Sequence, residues 1–102
     1  MLVDTACLAL REGKILDLHY DGYGRCLEVH ACGYKKQGHA VVRGWQVGGG
    51  SSSGERTGWK LMRMDEASAA HLSDQVSQAP RKGFKLGDPA MARIIFEVSP
   101  RR

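Results

Sequence analysis

Tryptophan and arginine side chains recur in the middle of the chain at a spacing that could bind nucleotides. Arg43 and Trp45 are two residues apart, and Trp59 and Arg63 are four apart. Because side chains of a β-strand alternate between its faces, each pair would share one face of a sheet. Aromatic rings stack on bases and arginines bind phosphates, which is typical of a site for a nucleotide or single-stranded nucleic acid. The alternative places the tryptophans in the core, with the arginines along its edge.

The distribution of charge favours the same kind of ligand. The 102 residues carry a formal charge of +4, but residues 1–34 contain three basic and five acidic side chains. Residues 35–64 contain six basic side chains and one acidic side chain. A basic surface attracts anions such as nucleotides, nucleic acid and phosphate. The alternative is a solvated basic face that only keeps the protein soluble.

Residues suited to catalysis or metal binding are sparse. The chain has no G-x-S-x-G or H-E-x-x-H motif and no clustered pair of carboxylates. Its four histidines are scattered, and His30 with Cys32 would supply only two metal ligands. The Gly/Ser-rich run 48–58 lacks the Gly-Lys-Ser/Thr ending of a phosphate-binding loop and is interpreted as a mobile hairpin loop. We therefore expect no enzymatic activity, no metal and no cofactor.

Cysteine usage and hydropathy bear on the cellular compartment. Cys7, Cys26 and Cys32 are odd in number and form no Cys-x-x-Cys pair, which favours three reduced thiols in a cytoplasm. No apolar run approaches the roughly 20 residues of a membrane span. Residues 1–10 contain Asp4 and no leading basic cluster, unlike a signal peptide. We expect a cytoplasmic protein without membrane association.

The period of the apolar residues predicts one helix followed by strands. Apolar residues at 3, 6, 7 and 10 have helical spacing, and apolar residues then alternate from 14 to 30 around an Asp21-Gly22 hairpin turn. Residues 65–78 are compatible with helix or strand. Asp88 as N-cap and Pro89 at the first helical position favour a final helix, although residues 94–98 could also form a strand. The predicted elements are a helix at 2–12, strands at about 14–20, 25–31, 39–47, 58–64 and 66–72, and a helix at about 89–97.

Short connections between the strands predict the fold class. Parallel strands need crossovers of about a dozen residues or more, and the first gaps between strands are far shorter. We therefore expect an α+β fold in one domain spanning residues 1–102. Its core would be a strongly bent antiparallel sheet or small open β-barrel, with an N-terminal helix and a short C-terminal helix.

The order of several segments resembles a known family. A strand ending in Tyr20 leads through a glycine turn into RCLEVH at 25–30, followed by VRGWQ at 42–46 and WKLMRMD at 59–65. This order, over roughly residues 6–72, resembles the WYL domain, an Sm-like small β-barrel of bacterial regulators with R-x-V-E-P and R-x-F-x-L-D-R-I strands. The Trp-Tyr-Leu tripeptide is absent, His30 replaces the usual proline, and Trp59 stands near the family's arginine.

The resemblance implies a ligand-sensing regulator rather than an enzyme. WYL domains are associated with nucleotides or nucleic acid, usually beside a helix-turn-helix domain for which these 102 residues leave no room, so a stand-alone module is expected. We predict that Tyr20 and Trp45 stack on the ligand and that phosphates are bound by Arg25, Arg43, Lys60 and Arg63. The alternative function is a protein-interaction module or a homo-oligomer formed through sheet edges.

Overall fold

The computed structural model describes residues 2–99, in which one helix is followed by six strands. The predicted helix and the first five strands are present, and residues 67–76 form a strand rather than a helix. The elements are helix α1 (Leu2–Glu12) and strands β1 (Lys14–Tyr20), β2 (Tyr23–Tyr34), β3 (Ala40–Gly49), β4 (Gly58–Arg63), β5 (Ala67–Val76) and β6 (Arg93–Glu97), with a 3-10 turn at Met64–Glu66.

The strands form one antiparallel sheet in the order β4-β3-β2-β1-β5, with β6 paired to β2. β1 pairs with the first half of β2, from Tyr23 to Leu27, and β6 pairs with its last four residues, Ala31–Tyr34. β2 is therefore the central strand. The expected α+β architecture with an antiparallel sheet is confirmed, and among the described strands the sheet does not close into a barrel.

The β1–β2 hairpin has the turn that its sequence predicts. Asp21 and Gly22 have φ angles of 53° and 79°. Two consecutive residues with positive φ match the twist of the adjoining strands, and an Asp-Gly pair adopts this conformation at low cost. The turn fixes the register in which Leu18 lies opposite Arg25, and so decides which side chains of β2 face each way.

Helix α1 packs its apolar side against one face of the sheet. Val3, Ala6 and Leu10, which have the predicted helical spacing, are buried against the apolar residues of the strands. The alternate positions Leu16 and Leu18 of β1 point into the same core. The buried members of this core are Val3, Ala6, Cys7, Ala9, Leu10, Leu16, Leu18, Leu27, Val29, Cys32, Val42, Met62 and Met64.

A disulfide bond joins the helix to the central strand. Cys7 of α1 and Cys32 of β2 are bonded, with their Cα atoms 6.1 Å apart, and only Cys26 among the described cysteines is free. The prediction of three reduced thiols is therefore wrong. Spacing along the chain did not indicate the pair, because 25 residues separate the two cysteines and the packing of α1 on the sheet brings them together.

The connection from β5 to β6, residues 77–92, crosses the opposite face of the sheet, and we call it the strap. Its Met91 is buried against Ala31 and Val41, forming a second, smaller core with Phe84 and Ile94 packed at its edge. The sheet is thus covered by α1 on one face and by the strap on the other.

The predicted C-terminal helix at about 89–97 is wrong. The Ala90 N–H donates to Asp88 Oδ1 at 2.9 Å, and the Met91 N–H donates to the Asp88 carbonyl oxygen at 3.1 Å. These bonds close a single turn, and no helix follows it among the described residues. Residues 93–97 then pair with the open edge of β2, where Ile94 lies opposite Gly33. An Ile-Ile-Phe run has high strand propensity, and an unpaired neighbouring edge decides the ambiguity in favour of a strand.

Candidate ligand-binding site

The strap is held to the sheet by an ion pair between a buried carboxylate and a partly exposed arginine. Glu28 of β2 is 1% exposed, and its carboxylate accepts hydrogen bonds from Arg81 Nε (2.6 Å) and Nη2 (3.2 Å). The backbone N–H of Gln78 donates a third bond to Glu28 Oε2 at 2.7 Å. A buried carboxylate is costly unless it is paired and hydrogen-bonded, and here both oxygens are satisfied. Glu28 therefore fixes where the strap begins to cross the sheet.

The neighbouring His30 gives the strap a second anchor. Its Nδ1 lies 2.8 Å from the carbonyl oxygen of Glu28, and its Nε2 lies 2.8 Å from the backbone N of Arg81. A carbonyl can only accept and a backbone N–H can only donate, so the ring is neutral, with its proton on Nδ1. Burial lowers the pKa of His30 from its ordinary value, which is consistent with that neutral form.

Aromatic rings from the sheet and the strap form a cluster beside this anchor. Trp45 of β3 and Trp59 of β4 are directly paired across the strands, and their rings meet edge to face at 5.3 Å. The ring of His30 contacts Trp59 at 4.7 Å and Phe84 of the strap at 5.3 Å. The tryptophans therefore face the strap rather than open solvent, and they contribute to its packing.

Arg43 joins the sheet to the far part of the strap. Its Nε and Nη2 donate to the two oxygens of Asp88 at 2.6 and 3.3 Å. The hydrogen bond from Arg43 holds the pKa of the Asp88 carboxyl below its ordinary value. This two-point contact resembles the way a guanidinium binds a carboxylate or phosphate of a ligand. Asp88 therefore binds the Arg43 donors that were predicted to bind a phosphate.

A cavity of about 300 Å³ opens between the sheet and the strap, and we call it the Trp59 pocket. Trp59 and Phe84 lie 6.4 Å apart between ring centroids, with 31° between their planes. Arg43 and the exposed Lys85 supply positive charge at its wall. Its lining residues are Arg43, Trp59, Gly83, Phe84, Lys85, Asp88 and Pro89.

Two of the six predicted ligand residues lie at or beside this pocket. Arg43 lines the pocket. Trp45 lies beside it, in contact with Trp59, and the guanidinium of Arg81 lies 5.8 Å from the Trp45 ring centroid. Trp59 is half-buried: it packs against Phe84 of the strap and also lines the cavity, so the stacking role of the tryptophans stays a prediction.

Tyr20 and Arg25 form a different cluster, at the end of the β1–β2 hairpin. Arg25 is 5% exposed, and its Nε donates to the carbonyl oxygen of Tyr20 at 3.2 Å. Its guanidinium lies 5.2 Å from the Tyr20 ring centroid and 5.7 Å from that of Tyr23, and Nη1 donates to Gln46 Oε1 at 3.4 Å. The structure therefore gives Arg25 packing and hydrogen-bonding partners inside the protein and does not bring it to Arg43.

Lys60 and Arg63 also have partners within the chain. Lys60 Nζ donates to the carbonyl oxygen of Glu55 at 2.9 Å, which ties β4 to the Gly/Ser-rich loop. Arg63 Nε and Nη2 donate to the Asp65 carboxylate at 3.0 and 2.6 Å. The six predicted residues are thus distributed over several places, and their charges do not converge on one exposed face.

The Gly/Ser-rich loop is partly packed where it leaves β3. The backbone N–H of Gly50 donates to the carbonyl oxygen of Gly24 at 3.1 Å, and Gln46 Nε2 donates to the carbonyl oxygen of Gly50 at 3.0 Å. A Cβ at Gly50 would overlap the ring of Tyr23. Glycine is needed at this position for close approach to an aromatic ring rather than for mobility alone.

Sequence reasoning missed the contribution of the strap. Phe84, Lys85 and Asp88 line the Trp59 pocket, but the glycines and prolines around the first two predict only a loop, and Asp88 was interpreted as a helix N-cap. The one available signal was an aromatic residue next to a lysine inside a long connection, since long ordered loops often carry binding residues. Nothing in the spacing indicated which face of the sheet the loop would cover.

Comparisons of the chain with family models, with curated proteins and with solved structures found no match. The similarity to WYL domains therefore remains a prediction. Within residues 2–99 there is no helix long and apolar enough to cross a membrane. The same part of the chain holds no group of three or more His, Cys, Asp or Glu side chains arranged to bind a metal ion.

Proposed function

We propose that this protein is a non-enzymatic ligand-binding module that takes a nucleotide, free or within a single strand, in the Trp59 pocket. The observation that carries the proposal is the pair of rings, Trp59 and Phe84, with centroids 6.4 Å apart at the wall of an open cavity. Contacting carbon layers lie about 3.5 Å apart, so a flat ring inserted between two others needs about 7 Å. A small outward shift of Phe84, on the strap, would admit one base.

The charges around the pocket support an acidic ligand. Lys85 is exposed and has no carboxylate partner among the described residues. Arg43 supplies a guanidinium at the same wall, although Asp88 binds it. A phosphate close to Lys85 would gain Coulomb energy without displacing an existing pair, whereas one bound by Arg43 would compete with Asp88.

The finer fold assignment is part of the proposal. The N-terminal helix followed by five antiparallel strands, in the order β4-β3-β2-β1-β5, supports an Sm-like sheet of the WYL type with β6 and the strap as additions. A regulatory role in a bacterial cytoplasm belongs to the same proposal. The Cys7–Cys32 disulfide argues against that compartment, because stable disulfides are uncommon in reducing cytosol.

Calorimetric titration of adenosine and uridine 5′-monophosphates at low salt tests the proposal. We expect Phe84→Ala to weaken binding by about tenfold, since a stacked base contributes about 1–3 kcal/mol. The matched control is Phe96→Ala, which removes a half-exposed ring of β6 that does not line the pocket. Lys85→Gln should weaken binding more than Lys82→Gln, its exposed neighbour in the strap that lies outside the lining.

Two outcomes would contradict the proposal: absence of binding by the wild-type protein, or equal losses in Phe84→Ala and Phe96→Ala. Light scattering on the same samples addresses the alternative of a homo-oligomer, for which the open outer edges of β4 and β5 are the supporting observation. A mass of one chain at every concentration would remove that alternative.

A further inference from the structure

A second concave surface, separate from the Trp59 pocket, lies where β2 and β6 meet the β2–β3 turn. Its volume is about 430 Å³, and we call it the Tyr34 pocket. Tyr34 is the last residue of β2, Arg93 is the first of β6, and the two are directly paired. The lining residues are Tyr34, Lys35, Lys36, Gly38, Ala92 and Arg93.

The walls of the Tyr34 pocket carry three positive charges and no negative one. Lys35, Lys36 and Arg93 all line it, and no aspartate or glutamate does. None of the three has a carboxylate partner within residues 2–99. Three like charges around one concavity repel each other, and an anion placed between them would relieve that repulsion.

Three other basic side chains of the fold are paired with carboxylates, unlike the three that line the Tyr34 pocket. Arg43 is bound to Asp88, Arg63 to Asp65, and Arg81 to Glu28. Part of the basic excess that the sequence shows after residue 34 therefore lies around the Tyr34 pocket, without a carboxylate partner within residues 2–99.

Backbone hydrogen bonds fix the turn that carries the two lysines, and one aromatic ring contacts Arg93. The turn is closed by hydrogen bonds from Lys35 N–H to the His39 carbonyl oxygen and from Gly38 N–H to the Lys35 carbonyl oxygen, both 2.8 Å. The guanidinium of Arg93 lies 5.3 Å from the Tyr34 ring centroid, within the range of a cation–π contact. The Ala92 N–H donates to the Tyr34 carbonyl oxygen at 2.9 Å and fixes the start of β6 beside the turn.

We infer that the Tyr34 pocket is a phosphate-binding site formed by Lys35, Lys36 and Arg93. A guanidinium offers a planar pair of donors to phosphate oxygens, and two lysines add point charges on either side. The phosphate could come from a free polyphosphate or from the backbone of a single-stranded oligonucleotide. The inference does not depend on the Trp59 pocket, whose residues it does not use.

Two probes distinguish the sources of phosphate: tripolyphosphate in a calorimetric titration, and a fluorescein-labelled thymidine octanucleotide in an anisotropy titration. The test variant is Lys35→Gln/Lys36→Gln. Its charge-matched control is Arg11→Gln/Lys82→Gln, which removes two exposed positive charges outside this pocket. Arg93→Gln serves as a second, independent variant.

We expect at least one probe to bind the wild type and to lose tenfold or more in the test variant and in Arg93→Gln, with the control unchanged. If the source is the oligonucleotide, the salt dependence of its binding should also become shallower. Each phosphate contact on a single strand contributes about 0.7 to the slope of log K against log salt, so two lost contacts remove about 1.4. The probe with the larger loss identifies the source.

The inference is overturned if neither probe binds the wild type, or if the control variant loses as much affinity as the test variant. Titration of uridine 5′-monophosphate into the same variants keeps the two sites separate. An unchanged free energy of unfolding in urea shows that Lys35→Gln/Lys36→Gln is folded, whether or not the mononucleotide binds, so that the loss belongs to the Tyr34 pocket. If only Phe84→Ala loses mononucleotide binding, that result bears on the Trp59 pocket and not on the Tyr34 pocket.

Discussion

His30 stands where the resembled family usually has proline, and in this fold its imidazole has a specific structural task. Both ring nitrogens are used, one toward the Glu28 carbonyl oxygen and one toward the Arg81 N–H. Proline could neither donate to that carbonyl oxygen nor accept from that N–H, and it would remove a backbone donor. A histidine that must accept a hydrogen bond from a backbone N–H has to stay neutral, so the strap anchor is sensitive to protonation.

Acidification should destabilise the protein through His30. Burial lowers its pKa in the folded state, so below about pH 6.5 the unfolded chain binds more protons than the native protein, and stability falls as pH falls. We expect the free energy of unfolding, measured in urea, to decrease between pH 7.5 and 5.0. The lowered pKa of Asp88 changes the free energy of unfolding only at more acidic pH than this interval.

Two histidine variants check the assignment to His30. His30→Gln should be less stable at pH 7.5 and should show a smaller change toward pH 5.0. His71→Gln, at an exposed position on β5, should keep the wild-type pH dependence. An equal pH dependence in wild type and His30→Gln would show that another group is responsible.

At the scale of elements, residues 93–97 show how a neighbour can override a local signal. The N-cap and proline at 88 and 89 favour a helix, yet β2 extends to Tyr34 whereas its pairing with β1 ends at Leu27, which leaves a free edge on that side of β2. Unpaired backbone donors and acceptors along that edge are satisfied when β6 pairs with it. The β2 strand also has glycine at the contact, which lets the chain of β6 approach closely.

Replacing Gly33 should therefore disturb β6. A Cβ at Gly33 would overlap the Arg93 carbonyl oxygen and lie 3.0 Å from Ile94 Cα. We expect Gly33→Ala to lower the free energy of unfolding by about 1–3 kcal/mol, as overpacking does. Gly24→Ala, in the same strand with no atom within 4 Å of the added Cβ, is the matched control and should be close to neutral. Equal stabilities in urea unfolding would contradict the pairing of β6 with β2.

At the scale of the whole molecule, the sheet is covered on both faces by segments fixed in different ways. Helix α1 contributes apolar side chains and the Cys7–Cys32 bond, whereas the strap contributes ion pairs, a histidine contact and aromatic packing. A protein of 102 residues has a limited core, so a covalent tie between its layers is a substantial share of its stability.

Removing the disulfide should destabilise the protein by about 3 kcal/mol, because it closes a loop across a separation of 25 residues. The variant is Cys7→Ala/Cys32→Ala, measured by urea unfolding. Cys26→Ala, which removes the free thiol, is the control and should change stability much less. Thiol titration of the denatured, unreduced wild type should find one reactive cysteine per chain, and three would contradict the bond.

The sequence alone determined the local elements whose signal lies within a few residues. The helix at its start, the Asp-Gly hairpin and the alternation of β1 to β4 were predicted because period and turn chemistry are local properties. The same alternation correctly placed Arg43 and Trp45 on one face, where the strap now contacts both.

Only the tertiary structure decided what those faces meet. In the folded protein Cys7 is bonded to Cys32, and residues 93–97 form a strand. The strap packs against the tryptophans, and its Asp88 binds Arg43. Arg25 packs between Tyr20 and Tyr23. Around the Tyr34 pocket the fold also brings together Lys35, Lys36 and Arg93, none of which has a carboxylate partner within residues 2–99. The physical reason is that charge neutralisation and burial depend on contacts between residues far apart in the chain, and neither composition nor periodicity encodes which residues will meet.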